Sequence, residues 1–156
     1  MSIQKATLAA GCFWGIQSAF DELPGVISTT VGYCGGHGVN PSYEQVCFGT
    51  TGYAESVQIV FDSEKISYSK LLDLFWHIHD PTQMNRQGPD IGSQYRSVIF
   101  YHSLEQKQLA EQSKQKLAQS KKFSKPIVTE IVEFKEFFPA EEYHQKYLQK
   151  NNQAVC

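Results

Sequence analysis

The chain is short of basic residues. Its 156 positions hold 14 Lys and Arg against 16 Asp and Glu, and no basic cluster exists beyond Lys121-Lys122. A nucleic-acid partner, which calls for a basic face, is therefore not expected. No apolar run approaches the ~18 residues of a membrane span. The N-terminal Met1-Ser2-Ile3-Gln4-Lys5 lacks the charged-then-apolar layout of a signal peptide. A soluble, cytoplasmic monomer that contacts neither membrane nor nucleic acid is the expectation. The four cysteines, Cys12, Cys34, Cys47 and Cys156, form no Cys-x-x-Cys, so no metal site is expected, and in such a compartment they rest reduced. The glycines at 35, 36 and 38 match neither a dinucleotide fingerprint nor a phosphate loop. They are read instead as letting backbone pass close to something or turn sharply. Internal repeats and low-complexity segments are absent.

What remains is ordinary globular material. Hydrophobic residues make up 41%, enough for a chain of this length to bury a core without staples. One catalytic domain over 1–150 is expected, with a tail at 151–156. Periodicity predicts strands over 6–10, 26–33, 53–61, 95–101 and 127–134. It predicts helices from Phe13 to Leu23, from Ser67 to His79, from Ser103 to about Ser120 and over about 140–149. Ser67 is read as an N-cap, and Ser103 with Gln106 as a capping box. Residues 43–47 carry no decisive pattern. The loop over 80–94 is long for a small domain, which marks it as functional. This order resembles a split β-α-β arrangement. The predicted fold is α+β, a two-layer sandwich with a ferredoxin-like mixed sheet and helices packed on it.

Chemistry concentrates at Gly11-Cys12-Phe13-Trp14-Gly15. A strand ends before it and an amphipathic helix follows, with Phe13, Ile16, Phe20 and Leu23 on one face. Cys12 then stands at a strand-to-helix turn, where unpaired N–H groups favour an anion. A thiol there ionises more readily than a free one, whose pKa is about 8.5. The bland alternative is a buried structural cysteine among core aromatics. The second signal is Glu55. Tyr53, Glu55, Val57, Ile59 and Phe61 share one face of an alternating strand, and that face is the more apolar one. Alternation thus sets Glu55 on the buried side, where a carboxyl stays protonated or finds a donor. A Glu that bends out to water at the strand end is the alternative.

These stretches resemble, in order, those of the A-type peptide methionine sulfoxide reductases. The matching segments are Gly11 to Gly15, Val31-Gly32-Tyr33 with Gly35-Gly36, Tyr43 to Val46, Thr51 to Glu55, Asp90 to Ser97 and Pro139 to Leu148. The resemblance implies a thiol-dependent reduction of methionine S-sulfoxide, free or in proteins, as oxidative damage repair. It implies Cys12 as nucleophile, Phe13 and Trp14 as walls for the substrate methyl group, and Glu55 as the acid that protonates the sulfoxide oxygen. It further implies Tyr43 and Tyr95 as hydroxyls bonded to that oxygen, and Asp90 as a supporting carboxylate. The sulfenic acid left on Cys12 would condense with a second thiol to a disulfide. The family's C-terminal resolving thiol implies Cys156, whose polar approach over 151–155 extends at most about 20 Å. Thioredoxin or another dithiol is the implied reductant, with no bound cofactor. Cys34 and Cys47 are expected to be structural, Cys47 as a core residue. The chain departs from the family pattern at Tyr53, where His is usual. Two other classes compete with this reading: a thiol peroxidase, which would need a cation beside Cys12, and a non-enzymatic redox-sensing module.

Overall fold

The computed structural model of the chain describes residues 2–36, 41–47 and 51–147. Along it run β1 (Ile3–Ala10), α1 (Phe13–Asp21), β2 (Val26–Cys34), α2 (Tyr43–Cys47), β3 (Ala54–Asp62) and α3 (Tyr68–His77). There follow the two-residue partners β4 (Arg86–Gln87) and β5 (Asp90–Ile91), then β6 (Ser97–Tyr101), α4 (Leu104–Gln119), β7 (Glu130–Glu133) and β8 (Phe137–Pro139). Short 3-10 turns stand at Ser93–Tyr95 and Glu142–His144.

The main sheet has the order β7-β6-β1-β3-β2-β8. Its neighbours are antiparallel except β6 and β7. That parallel pair is the one joined across α4, since parallel neighbours need a long crossover. β3 lies between β1 and β2, so the β1-α1-β2 unit is split. The apolar stripes predicted from period now have partners. Leu8, Val31, Val57, Ile59 and Ile99 meet Phe13, Ile16 and Phe20 of α1, Leu71, Leu72 and Phe75 of α3, and Ala110 of α4 in one core. Each fully buried side chain of this size contributes about 2 kcal/mol. The opposite face is smaller in residue size. Ala9, Cys34, Ala54, Val98 and Phe100 are covered by Phe134 and Phe137.

The helix starts fall where their caps were read. Ser67 accepts from Lys70 N–H, and Ser103 accepts from Gln106 N–H. Gln106 Oε1 accepts in turn from His102 N–H at 2.9 Å. Several expectations are corrected. The segment over 127–134 pairs only through Glu130–Glu133. Residues 43–47 are a short helix. Phe137–Pro139 is an edge strand paired with β2, which a three-residue stretch ending in proline does not advertise. Of the helix expected over 140–149, the described part holds the 3-10 turn Glu142–His144 and helical conformation again at Tyr147, and residues 148–149 lie outside the described residues. Helix is broken because Gln145 is drawn out of it. Its side chain accepts from Val31 N–H and donates to the Val31 carbonyl, and Lys146 next to it takes φ 57°. The tail with Cys156 also lies outside the described residues.

Candidate active site

Register places the acid before any side chain is considered. β1 and β3 pair with Leu8 opposite Val57, so extending the antiparallel ladder sets Glu55 level with Ala10, beside the turn into α1. Gly11 makes that turn at φ +99°, a region open mainly to glycine. A Cβ there would also stand 2.9 Å from Gln87 Cβ. Gln87 is itself fixed, its amide bonded both ways to the backbone of Asp80 at 2.7 and 2.9 Å. Cys12 is the N-cap residue of α1 and caps it with no side-chain bond. The open amide of the first turn is taken by Glu55, whose Oε1 accepts from Phe13 N–H at 3.3 Å.

Glu55 is 1% exposed. Burial pushes its carboxyl from an ordinary 4.5 up to about 8, the Phe13 N–H pulls it down, and the charge of Asp90 on β5 pushes it up again. It therefore holds its proton at neutral pH. Its Oε2 is buried and makes no hydrogen bond. The alternation reading of Glu55 is thus what the structure holds.

Two phenols stand with it. Tyr43 opens α2 and Tyr95 ends the Ser93–Tyr95 turn. Burial and then the Glu55 carboxyl raise both, Tyr95 to about 12. The two hydroxyls share a hydrogen bond, and that of Tyr43 also bonds the Cys47 thiol. Cys47 is a free, exposed thiol, not the core residue expected of it. Cys34 is a free thiol and buried; it donates to the Glu136 carbonyl at 3.2 Å, and burial pushes it up to about 12.

An aromatic wall completes the arrangement. Phe13 is fully buried and lies 5.7 Å from the Tyr33 ring, 6.4 Å from Tyr43 and 5.3 Å from His144. Trp14 stacks on Tyr147 at 3.8 Å. Its indole N–H donates to His144 Nδ1 at 2.9 Å, which fixes His144 as a neutral ring with its proton on Nε2. Burial lowers the basicity of that ring, against the pull of Glu141. Glu141 accepts from the Tyr33 hydroxyl at 3.1 Å and from Tyr43 N–H at 3.2 Å. Sequence reasoning gave no role to Tyr33, Glu141 or His144. Their only signal was membership in the segments that carry the resemblance.

Cys12, Phe13, Trp14, Glu55, Tyr43, Tyr95 and Asp90 are therefore drawn to one end of the sheet. Tyr53, three hundredths exposed, sets its ring edge-on to Phe138. A Cβ on Gly36 would stand 2.5 Å from the Tyr53 backbone nitrogen, which is the close backbone passage read into that glycine loop. Among the described residues no group of His, Cys, Asp and Glu could hold a metal ion, and no helix is long and apolar enough to cross a membrane. The site offers the Cys12 sulfur at a helix start, held in a disulfide in this structure, with a carboxyl that keeps its proton, two neutral hydroxyl donors and an apolar wall. That set suits nucleophilic attack on a centre whose oxygen must be protonated as it leaves.

Comparison with known proteins points the same way. The sequence model of a family described as peptide methionine sulfoxide reductase matches residues 4–156. A relative named peptide methionine sulfoxide reductase MsrA, from Methanosarcina mazei, is 60% identical over 148 residues, covering 95% of this chain and 70% of the relative. Among solved structures, Mxr1 from Saccharomyces cerevisiae in reduced form superposes with a TM-score of 0.93 at 37% identity, over 99% of this chain and 89% of that one. Mxr1 in complex with Trx2 gives a TM-score of 0.67 at 26% identity, over 94% and 85% of the two chains.

Proposed function

The chain belongs to the peptide methionine sulfoxide reductase family, and from that premise we propose which of its residues carry the reduction of methionine sulfoxide. Cys12 attacks the sulfoxide sulfur as a thiolate. Glu55 delivers a proton to the sulfoxide oxygen, and the hydroxyls of Tyr43 and Tyr95 bond that oxygen as charge develops on it. Phe13 and Trp14 hold the methyl group, and Asp90 keeps the Glu55 proton in place by its charge. The sulfur–oxygen bond breaks with release of water and leaves Cys12 bonded to the methionine sulfur; water then attacks the Cys12 sulfur, breaks that sulfur–sulfur bond, frees methionine and leaves a sulfenic acid, so the two electrons methionine gains are those Cys12 loses. The observation that carries this reading is Glu55, 1% exposed and bonded to the amide next to Cys12.

The sulfenic acid then condenses with Cys156, releasing water and forming a disulfide, which a thioredoxin-type dithiol reopens. The complex of Mxr1 with Trx2 supports that partner. The S epimer is the substrate by the same family argument, with free and protein-bound forms both accepted. No bound cofactor takes part. The strand arrangement is read as a ferredoxin-like two-layer sandwich, and the protein as a cytoplasmic monomer. A peroxidase reading is disfavoured because the Arg96 guanidinium is engaged by Glu130, 2.9 Å away, and by the carbonyls of Ser93 and Gly35.

The test uses methionine sulfoxide with dithiothreitol. Wild-type protein forms methionine catalytically, and Cys12→Ser forms none, because a hydroxyl gives no comparable nucleophile at neutral pH. Turnover by Cys12→Ser above background would sink the assignment. Cys156→Ser still releases one equivalent of methionine per chain but fails to turn over with thioredoxin. A Cys12 link to Cys34 or Cys47 in peptide mapping would reassign the resolving thiol.

A further inference from the structure

Glu141 reaches away from its own segment. It is the N-cap residue of the Glu142–His144 turn, yet its side chain makes no cap bond there. Its Oε2 instead accepts from Tyr43 N–H at 3.2 Å, across 98 residues of sequence. Its Oε1 accepts from the buried Tyr33 hydroxyl at 3.1 Å, and the Tyr143 hydroxyl bonds the same carboxylate.

The recipient matters. Tyr43 is the first residue of α2, which has five residues, far below the length at which a helix stands alone. The local cap is a reciprocal pair: Ser42 N–H donates to Gln45 Oε1 at 2.9 Å and Gln45 N–H to Ser42 Oγ at 3.2 Å. That pair leaves the Tyr43 amide out, and Glu141 takes it. The carboxylate stays charged. Burial works to raise it, but the N–H groups of Glu141 and Tyr43 and the Tyr33 hydroxyl hold it below its ordinary value. Tyr33 is also opposite Glu55 in the β2–β3 ladder, so the clamp is referenced to the strand that carries the acid. A small rotation at the Tyr43 Cα is magnified at the far end of its phenol, where the hydroxyl meets Tyr95 and Cys47.

We propose that Glu141 is a positioning residue for sulfoxide reduction, holding the Tyr43 hydroxyl in place through the Tyr43 backbone amide. The inference rests on the reading of Tyr43 as a donor to the sulfoxide oxygen.

A four-member cycle tests it. Single-turnover methionine release at saturating methionine sulfoxide is measured for wild type, Tyr43→Phe, Glu141→Gln and the double variant, each checked by circular dichroism. Glu141→Gln keeps size and one acceptor but loses the charge. It is expected to slow release about tenfold in the wild-type background and less than about twofold in the Tyr43→Phe background, as coupled neighbours do. Equal losses in both backgrounds would overturn the inference alone, because Glu141 would then act elsewhere. A Tyr43→Phe enzyme as fast as wild type would overturn the Tyr43 reading and the inference with it. Should Glu141→Gln not fold, Tyr33→Phe removes one of the clamp's donors. Its loss, about threefold by the same reasoning, must likewise vanish with Tyr43→Phe.

Discussion

Two carboxylates flank Tyr33, and they are built to opposite ends. Glu55 lies across the ladder from it on β3. It receives one amide, keeps a bare Oε2 and is raised to about 8. Glu141 follows β8, receives the Tyr33 phenol on one oxygen and the Tyr43 amide on the other, with the Tyr143 hydroxyl and its own N–H besides, and is lowered despite its burial. Donor count decides between them, since each hydrogen bond to the charged form favours it while desolvation alone disfavours it. One group is left poor in donors and keeps its proton. The other is supplied with donors and serves as a fixed negative post.

The difference can be broken most severely at Glu55. Glu55→Gln keeps shape and a donor but has no acidic proton. It should slow single-turnover sulfenic acid formation by about 10²–10⁴-fold, the usual worth of general acid catalysis. A loss under about threefold would move the acid elsewhere. The pH profile should show the same contrast less sharply. Above about pH 8 the wild-type rate should fall by up to about tenfold per unit as Glu55 loses its proton, and this limb should be missing from Glu55→Gln.

Stability should separate the pair by sign. Glu55 is raised from 4.5 to about 8, so the folded chain binds the extra proton. The stability it contributes is full below pH 4.5 and is lost as pH rises to about 8. Glu141 is lowered, so its contribution is present above its ordinary 4.5 and is lost as pH falls below it. Urea midpoints across pH should therefore lose their alkaline slope in Glu55→Gln and part of their acid slope in Glu141→Gln. Slopes altered at the same end would refute the contrast. The smallest effect is expected at Cys47, whose thiol feels both carboxylates and stays protonated, chiefly through burial. Cys47→Ser should change thioredoxin-driven turnover by no more than about twofold, as for exposed positions generally. A larger change would give that thiol a part in the chemistry.

How far this was legible in sequence follows from the range of each contact. Glu55 could be placed on the buried face because a period of two is a local rule, and the strand around it alternates cleanly. The Ser67 and Ser103 caps are local too. The place of Cys12 at a helix start needed only a strand, a glycine and an amphipathic run. Tyr43 and Tyr95 entered through the resemblance alone, since nothing in their neighbourhoods distinguishes them from ordinary half-buried tyrosines. Glu141 gave no signal beyond its place in a matching segment, because its partners are 98 and 108 residues away. The expected helix after Pro139 is interrupted at Gln145 and Lys146 for a related reason. Gln145 and Lys146 take their bonds from Val31, Gln17 and Asp21, and those tertiary bonds outweigh local propensity.

The strand order β7-β6-β1-β3-β2-β8 also sets a timetable. β1 is made first but lies in the interior of the sheet, and its flanking partner β6 begins at Ser97. At ordinary rates of synthesis the ribosome needs on the order of 10 s to deliver that partner. Through that interval Cys12 lacks its finished sheet, and Trp14 beside it lacks His144 and Tyr147. Pairings this distant along the chain also fold slowly. The newborn chain thus spends those seconds with Cys12 uncovered, and the surroundings of the helix that follows it are complete only when the turn at 142–147 packs against Trp14.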